Sequence, residues 1–417
     1  MINRVKRKSC KKIEDVMAFD NFEKEKIIFF SIFFIIFIML AGISPLLGFY
    51  VPIIFLSVNI FQGRMFRVPL ALIAVYSSLY IFASRNIVSG SVKDDFENLY
   101  FPVYNIMASG GSIFYYQFTS GVEFLLPLYF KILYNVFGIV DPVDVLVAVS
   151  ALCIVPFYIW LEKYGLQGID EDKKSLCIAS SLGLFILAVT TQNMRQAVSC
   201  AFLLFAISYF LDKKRLLFVL FFILSITAHT TAIIILPIFL ILLGNSSFKR
   251  NGLVLFALIA SLLFSVFISI IISSGLLGAA TYKLLFYSDM QSSGFEIGYL
   301  KYLIITCAAG LLYFSPNHKE YKNLLLYGTF IYAVLAPIPV VSHRLLLLMV
   351  AFLNGYLMFL AFYRITFIYR FILVFYCLYR IIKIGPYFDN TSLDDEKFMN
   401  LWYSFPWAGD YFFYYLK

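Results

Sequence analysis

Residues 216–243 read LLFVLFFILSITAHTTAIIILPIFLILL, 28 positions without an Asp, Glu, Lys or Arg. Asp212-Lys213-Lys214-Arg215 precede the run, and Lys249 and Arg250 follow it. One membrane-spanning helix needs roughly 20 apolar residues, so the run is too long for one crossing and short for two. The flanks decide between these readings. Lys and Arg collect on the cytoplasmic side of a membrane protein, so two basic flanks put both ends of the run on one side. The stretch therefore reads as a hairpin with His229 near its tip. Each arm of about 14 residues is about 21 Å long, short of a hydrocarbon core of roughly 30 Å. The tip is expected in the outer half of the membrane, lining something wet or polar.

The rest of the chain is built in the same way. Of 417 residues, 62% are hydrophobic and 14% charged, against about 25% charged in soluble domains. The apolar runs are continuous rather than alternating, which indicates helices and excludes a barrel. The net charge of +9 belongs to short orienting loops, and nucleic-acid binding is excluded on that ground. Cys10, Cys153, Cys177, Cys200, Cys307 and Cys377 have no metal-ligand spacing, and five of them sit in or beside apolar runs as small buried residues. No Walker loop, dinucleotide fingerprint, zinc signature or G-x-S-x-G is present, so neither metal nor cofactor is expected.

Working outward from the hairpin, residues 1–26 form a cytoplasmic basic tail with Arg4, Lys6, Arg7, Lys8, Lys11 and Lys12. Residues 27–61 read as two short spans turning near Ser44 and Pro45, because two crossings return the chain to the side where Arg64 and Arg67 belong. A span over 68–83 leads outward to a polar loop, 84–122. Residues 124–140 are amphipathic and read as re-entrant or interfacial. Spans follow over 143–161, 176–190 and 196–211, then the hairpin, then 253–273, 299–314, 324–341, 345–362 and 366–382. A second outer loop covers 275–298, and a polar aromatic tail, 384–417, is expected outside. The fold class is an all-α polytopic integral membrane protein. Its transmembrane domain covers 27–383, with about 12 transmembrane helices plus the re-entrant or interfacial helix.

Ionisable residues at membrane depth are costly and usually face a cavity or a ligand. Four sets gather on the outer side. Arg85 with Lys93, Asp94 and Asp95 is either a solvated loop or a mixed-charge site whose carboxylates act as acid or base. Gln192-Asn193-Met194-Arg195-Gln196 opens a helix. There a planar guanidinium fork and free N–H groups suit the phosphate of a lipid-linked substrate; the alternative is a helix cap with a snorkelling Arg. His229, flanked by Thr230 and Thr231, can take a proton from a hydroxyl or donate to a phosphate, although a lone histidine is often structural. His343-Arg344 repeats the phosphate argument at a later helix. Arg370 and Arg380 read as anchors.

The run Thr191-Gln192-Asn193-Met194-Arg195-Gln196-Ala197, the charged Asp212-Lys213-Lys214-Arg215, and Ala228-His229-Thr230-Thr231-Ala232 resemble the core of the Wzy-type polysaccharide polymerases, in particular the EpsG-like family. That core covers 176–243. Beyond it, Arg85 followed by Asp95 and Tyr100, Glu123 before an amphipathic helix, and His343-Arg344 also resemble the family. The sequence departs from it where Lys93 and Asp94, rather than a glycine, precede Asp95, and where the tyrosine is offset.

The resemblance implies a GT-C-like fold in the bacterial cytoplasmic (inner) membrane, multi-pass, with the reaction on the outer face. Oligosaccharide repeat units carried on undecaprenyl pyrophosphate would be joined into O-antigen, capsular or exopolysaccharide chains without nucleotide sugar. Arg195, Arg85 and Arg344 are then expected on the pyrophosphate, and His229 as base or phosphate contact with Asp95 as the rival base. Gln192 and Gln196 would orient sugar or phosphate, and tyrosines such as Tyr100 would stack on sugars. Membrane lipids, a chain-length regulator and a flippase are the implied partners. Other classes stay open: a flippase or transporter for a lipid-linked glycan, a glycosyltransferase using a lipid monophosphate sugar, and an O-antigen ligase. A transporter should show an internal repeat or mid-membrane charges, and the sequence has neither pattern.

Overall fold

The computed structural model describes residues 28–58, 60, 63–81, 83, 94–274, 294–338 and 340–384, and every regular element among them is helical. The basic tail, Arg85 and Lys93, most of the loop expected over 275–298 and the tail beyond 384 lie outside the described residues.

Helix α1 (Ile28–Ile43) and helix α2 (Pro45–Val58) fold back on one another at Ser44. Pro at a first helical position has its φ preset and needs no N–H partner. The fold-back brings the Phe37 and Phe55 rings to 4.9 Å, edge to face, as the two-span reading of this stretch requires. Helix α3 (Arg64–Ile81) carries Arg67 in its first turn. Arg67 pairs with Glu162 by Nε at 3.1 Å and Nη2 at 3.0 Å, and with Glu171 by Nη1 at 3.6 Å. The loops around 62–67 and 162–174 therefore share one end of the bundle.

After a π-turn (Phe96–Tyr100) comes helix α4 (Phe101–Ala108), and then helix α5 (Leu125–Phe137). The 13 residues of α5 reach only about 20 Å, and it packs on α4 and on helix α10 (Arg215–Ala228). This length suits a helix that does not cross. Helix α6 (Pro142–Trp160) follows.

Helix α7 (Glu171–Gly183) stops halfway through the span expected over 176–190, and the chain is irregular from 184 to 188. Short helix α8 (Val189–Gln192) and helix α9 (Met194–Leu211) then resume. Irregular backbone at membrane depth is tolerated where protein buries it. Here the Ile186 N–H donates to the Ala351 carbonyl at 3.2 Å, and Ala351 lies in a second interrupted stretch. The span expected over 345–362 is likewise split, into a π-turn (Leu348–Phe352) and a later helix (Asn354–Ala361). Gly355 makes the crossing with α7 feasible. A Cβ there would stand 2.1 Å from the Ser180 carbonyl oxygen, and small residues let membrane helices approach this closely.

The hairpin is present: α10 has 14 residues, helix α11 (Ala232–Leu243) has 12, and His229 lies between them. Helix α12 (Ser247–Ser274), helix α13 (Gly294–Tyr313), helix α14 (Lys319–Leu335), short helix α15 (Val341–Leu345), helix α16 (Asn354–Ala361) and helix α17 (Thr366–Ile384) complete the described chain.

Among the described residues five helices are long and apolar enough to cross a membrane, and six shorter apolar helices accompany them. The chain is thus an all-helical membrane protein. Its centre is α9, 78% buried, against 11% for the crossing part of α12. A buried central helix is where a polar side chain can be shielded from lipid, and α9 carries the site.

Candidate functional site

The C-terminal end of α9 lies beside α6, where Lys163 donates to the Tyr209 hydroxyl at 3.2 Å. Its N-terminal end, with Arg195, is therefore at the far end of the bundle from Arg67 and Glu162, about 25 Å away along a helix of this length. Asn193, at φ −98° and ψ 46°, breaks α8 from α9.

The hairpin tip is clasped to that same end. Ser225 Oγ donates to the Ser199 carbonyl at 2.9 Å, and the Ser199 hydroxyl reaches the His229 carbonyl at 3.5 Å. His229 itself is extended, ending α10, which frees its ring from the helix surface.

Glu123 joins the two. Its side chain is fully buried. Oε1 accepts from His229 Nδ1 at 2.7 Å, from the Thr230 N–H at 2.8 Å and from Thr230 Oγ1 at 2.8 Å, and Oε2 accepts from Arg195 Nη1 at 2.5 Å. Burial alone would raise the pKa of this carboxyl. The hydrogen bond and charge of His229, the Thr230 amide and Arg195 outweigh that and hold it well below the usual carboxylate range. An ionised carboxylate only accepts, so His229 carries its proton on Nδ1. In the neutral ring Nε2 is then the acceptor, and no described residue hydrogen-bonds it. The orientation is that of a base held by a carboxylate, with its second nitrogen presented to a substrate.

A short turn places both Glu123 and Phe118. Thr119, Ser120 and Gly121 all take positive φ, at 51°, 53° and 86°. This is ordinary for glycine and uncommon for the other two. The turn swings Phe118 and Glu123 back onto one guanidinium: Arg195 lies 4.1 Å over the Phe118 ring while Glu123 holds its edge. Backbone of this kind clusters at functional sites because the surroundings over-determine it.

The other candidates surround this core. The buried Tyr100 hydroxyl lies beside Arg195. Gln196 is 2% exposed; its Nε2 donates to the Arg344 carbonyl at 2.5 Å, and its Oε1 has no partner among the described residues. Arg344 sits in α15 behind Val340, which has φ 67°. Its Nε is buried without a partner, and its charge acts on Asp95. Asp95 keeps an accessible surface. Even so, the protein mass around it pushes its carboxyl above the ordinary value, against the pull of Arg344 and Arg195. Asp94 instead turns inward, Oδ1 accepting from the Phe96 N–H at 3.0 Å. His343 is buried and stacked on Tyr299 at 5.1 Å. Burial and Arg344 push it down to about 4, so it is neutral and Arg344 is the cation of that pair.

The structure thus brings His229, Arg195, Asp95, Tyr100, Gln196 and Arg344 to one end of the bundle. Gln192 lies half-buried at the end of α8, and Arg85 lies outside the described residues. Glu123, Thr230 and Phe118 are the members that the sequence pattern did not single out as site residues. A lone acid directly before a helix too short to cross was the available signal for Glu123.

The sequence model of the EpsG family matches residues 68–391. No curated protein and no solved structure matches the chain.

Proposed function

Because this chain belongs to the EpsG family, whose members are Wzy-type polymerase-like membrane proteins, we propose that it polymerises undecaprenyl-pyrophosphate-linked oligosaccharide repeat units into O-antigen, capsular or exopolysaccharide chains. The reading includes a GT-C-like arrangement of about twelve crossings in the bacterial cytoplasmic membrane, with the Glu123 end outward. It needs a flippase to supply the substrate, and a chain-length regulator is an expected partner.

The observation that carries the reading is the Glu123–His229 pair, with Nε2 unbonded among the described residues and Arg195 on the same carboxylate. His229 Nε2 takes the proton of the acceptor hydroxyl. The freed oxygen attacks the anomeric carbon of the growing chain. The bond from that carbon to the pyrophosphate oxygen breaks, and the electron pair leaves with the lipid pyrophosphate. A general base of this kind contributes about 10²–10⁴-fold, and cations aimed at the leaving group stabilise the charge as it develops. Arg195 is half of a compensated pair with Glu123, so Arg344 supplies the less compensated positive charge. Asp95, exposed and with its pKa raised, is the rival base. Gln196 and Gln192 orient sugar or phosphate, and Tyr100 lies where it can meet a sugar.

The test is a gel of the surface polysaccharide from a strain lacking the gene, complemented in turn with wild type, His229→Ala, Asp95→Asn and Arg195→Ala. A deletion showing single-repeat glycan, with a ladder restored by wild type and not by His229→Ala, supports polymerisation with His229 as base. If Asp95→Asn alone loses the ladder, the base is Asp95. The unwound stretch at 184–188 favours a second reading, since transporters bind substrate at broken helices. A deletion lacking even the single repeat at the surface would select that reading.

A further inference from the structure

The irregular 184–188 segment borders a cavity of about 330 Å³. The unwound backbone from Gly183 to Ala188 forms one wall, and Tyr50, Tyr299, Tyr302, Asn354, Tyr376 and Arg380 supply its polar groups. Arg380 follows the first residue of α17 by fourteen positions, about 21 Å along the helix. α17 starts at the basic end, where Arg370 donates to the Asp172 carbonyl. Arg380 therefore lies in the half of the bundle that holds Glu123.

Several polar groups of this cavity are poorly spent among the described residues. Among the described residues Arg380 has no carboxylate partner; its hydrogen bond runs from Nε to the Tyr50 hydroxyl at 3.3 Å. The Nη edge of the guanidinium, the part that forks onto phosphate oxygens, forms no hydrogen bond to the described residues. The Tyr302 and Tyr376 hydroxyls and the Asn354 amide also lack hydrogen-bond partners among the described residues. A cation at membrane depth is expensive unless a ligand or a partner compensates it. An anchoring arginine would snorkel to the interface, whereas this one is held by Tyr50 against a cavity of neutral donors. Such a site takes a compact anion, and at this depth the anion is attached to a lipid. The cavity also adjoins the site: Tyr299 lines the cavity and stacks on His343, the neighbour of Arg344.

We propose that this cavity binds the phosphate head of a polyprenyl lipid, as the second lipid-linked substrate of the reaction above, with Arg380 as its charged contact. The assignment as substrate rests on the polymerase reading, because a polymerase must hold two lipid-linked chains at once; binding at Arg380 does not.

The experiment is native mass spectrometry of the purified full-length protein in detergent, titrated separately with undecaprenyl pyrophosphate, phosphatidylglycerol and inorganic pyrophosphate. Wild type, Arg380→Gln, Arg380→Lys and Asn354→Leu are compared, each checked for an unchanged melting temperature. Wild type is expected to bind two undecaprenyl pyrophosphates. Arg380→Gln should weaken one of the two at least tenfold, Arg380→Lys less, and Asn354→Leu should weaken the same one without touching the cation. Unchanged binding of both in Arg380→Gln and Asn354→Leu overturns the proposal. Phosphatidylglycerol competing equally for the Arg380-dependent position makes it a structural lipid site and overturns the substrate assignment. Inorganic pyrophosphate occupying it with equal affinity makes it a free-anion site, with the same consequence. If Arg380-dependent binding is seen while the wild type fails the ladder assay, the polymerase reading falls and the lipid-phosphate site stands.

Discussion

Each end of this bundle buries an arginine against a glutamate, and the two pairs are built for opposite ends. Arg67 engages all three guanidinium nitrogens with Glu162 and Glu171, and the group ties α3 to the start of α7 and to the turn after α6. Arg195 spends Nη1 on Glu123 and leaves its Nε buried without a partner. Glu123 is the saturated member there, and its further bonds go to Thr230 and to a histidine whose other nitrogen has no hydrogen bond among the described residues. A closed pair is a fastening; a pair that passes its charge on to a free acid–base group is a site. The lesson is to count unspent donors and acceptors rather than salt bridges.

The largest effect should come from His229→Ala. Chain growth is expected to fall by about 10²–10⁴-fold with little change in melting temperature, measured as ladder length and as rate with purified lipid-linked repeat units. Glu123→Gln should lose the ladder too, but with a stability cost. Removing one partner of a buried pair costs about 3–5 kcal/mol, seen as a lower melting temperature in detergent. Arg67→Ala sharpens the contrast. It should cost a similar roughly 3–5 kcal/mol and lower protein abundance, while polymerisation per folded molecule stays near wild type. Loss of activity per molecule in Arg67→Ala would erase the distinction between the ends.

Smaller effects follow from charge. Glu123 has a depressed folded value, so its contribution to stability is present above its ordinary value of 4.5 and is lost as pH falls through the folded one. Asp95 is displaced the other way: its charged form opposes folding above its raised value, and the penalty vanishes below 3.8. Asp95→Asn is therefore expected to raise the melting temperature at pH 7 and to leave it unchanged at pH 3.5. A melting series over pH 3–8 on both variants reads the two opposite slopes. The smallest change is Phe118→Leu, which keeps an apolar floor under Arg195 but removes the ring face, at about 1 kcal/mol and with a ladder retained.

Much of this was legible before any coordinates. Like-charged flanks marked 216–243 and 27–61 as hairpins, because orientation depends on counts of Lys and Arg that a sequence displays directly. Arg195 and His229 stood out because polar groups are rare beside apolar runs. Glu123 did not, since its partners lie 72 and 106 positions away and its one local mark, a place directly before a short helix, does not say what it meets. The interruption at 184–188 was also hidden. Gly183 ends α7, but Leu184 to Ala188 contain no proline or glycine, and the irregular backbone there bonds across to Ala351 through Ile186. Arg380 read as an anchor because sequence shows that a cation is near a helix end, not whether its fork faces lipid headgroups or a cavity.

The left-handed turn from Thr119 to Gly121 sets a rule for length. Phe118 and Glu123 reach the same guanidinium from either side of it, so adding or removing a single residue between them swings one or the other away from Arg195. In the irregular stretch from Ser109 to Tyr116 an insertion would lengthen a loop at small cost. Between Phe118 and Glu123 it would take apart the floor and the wall of the site together.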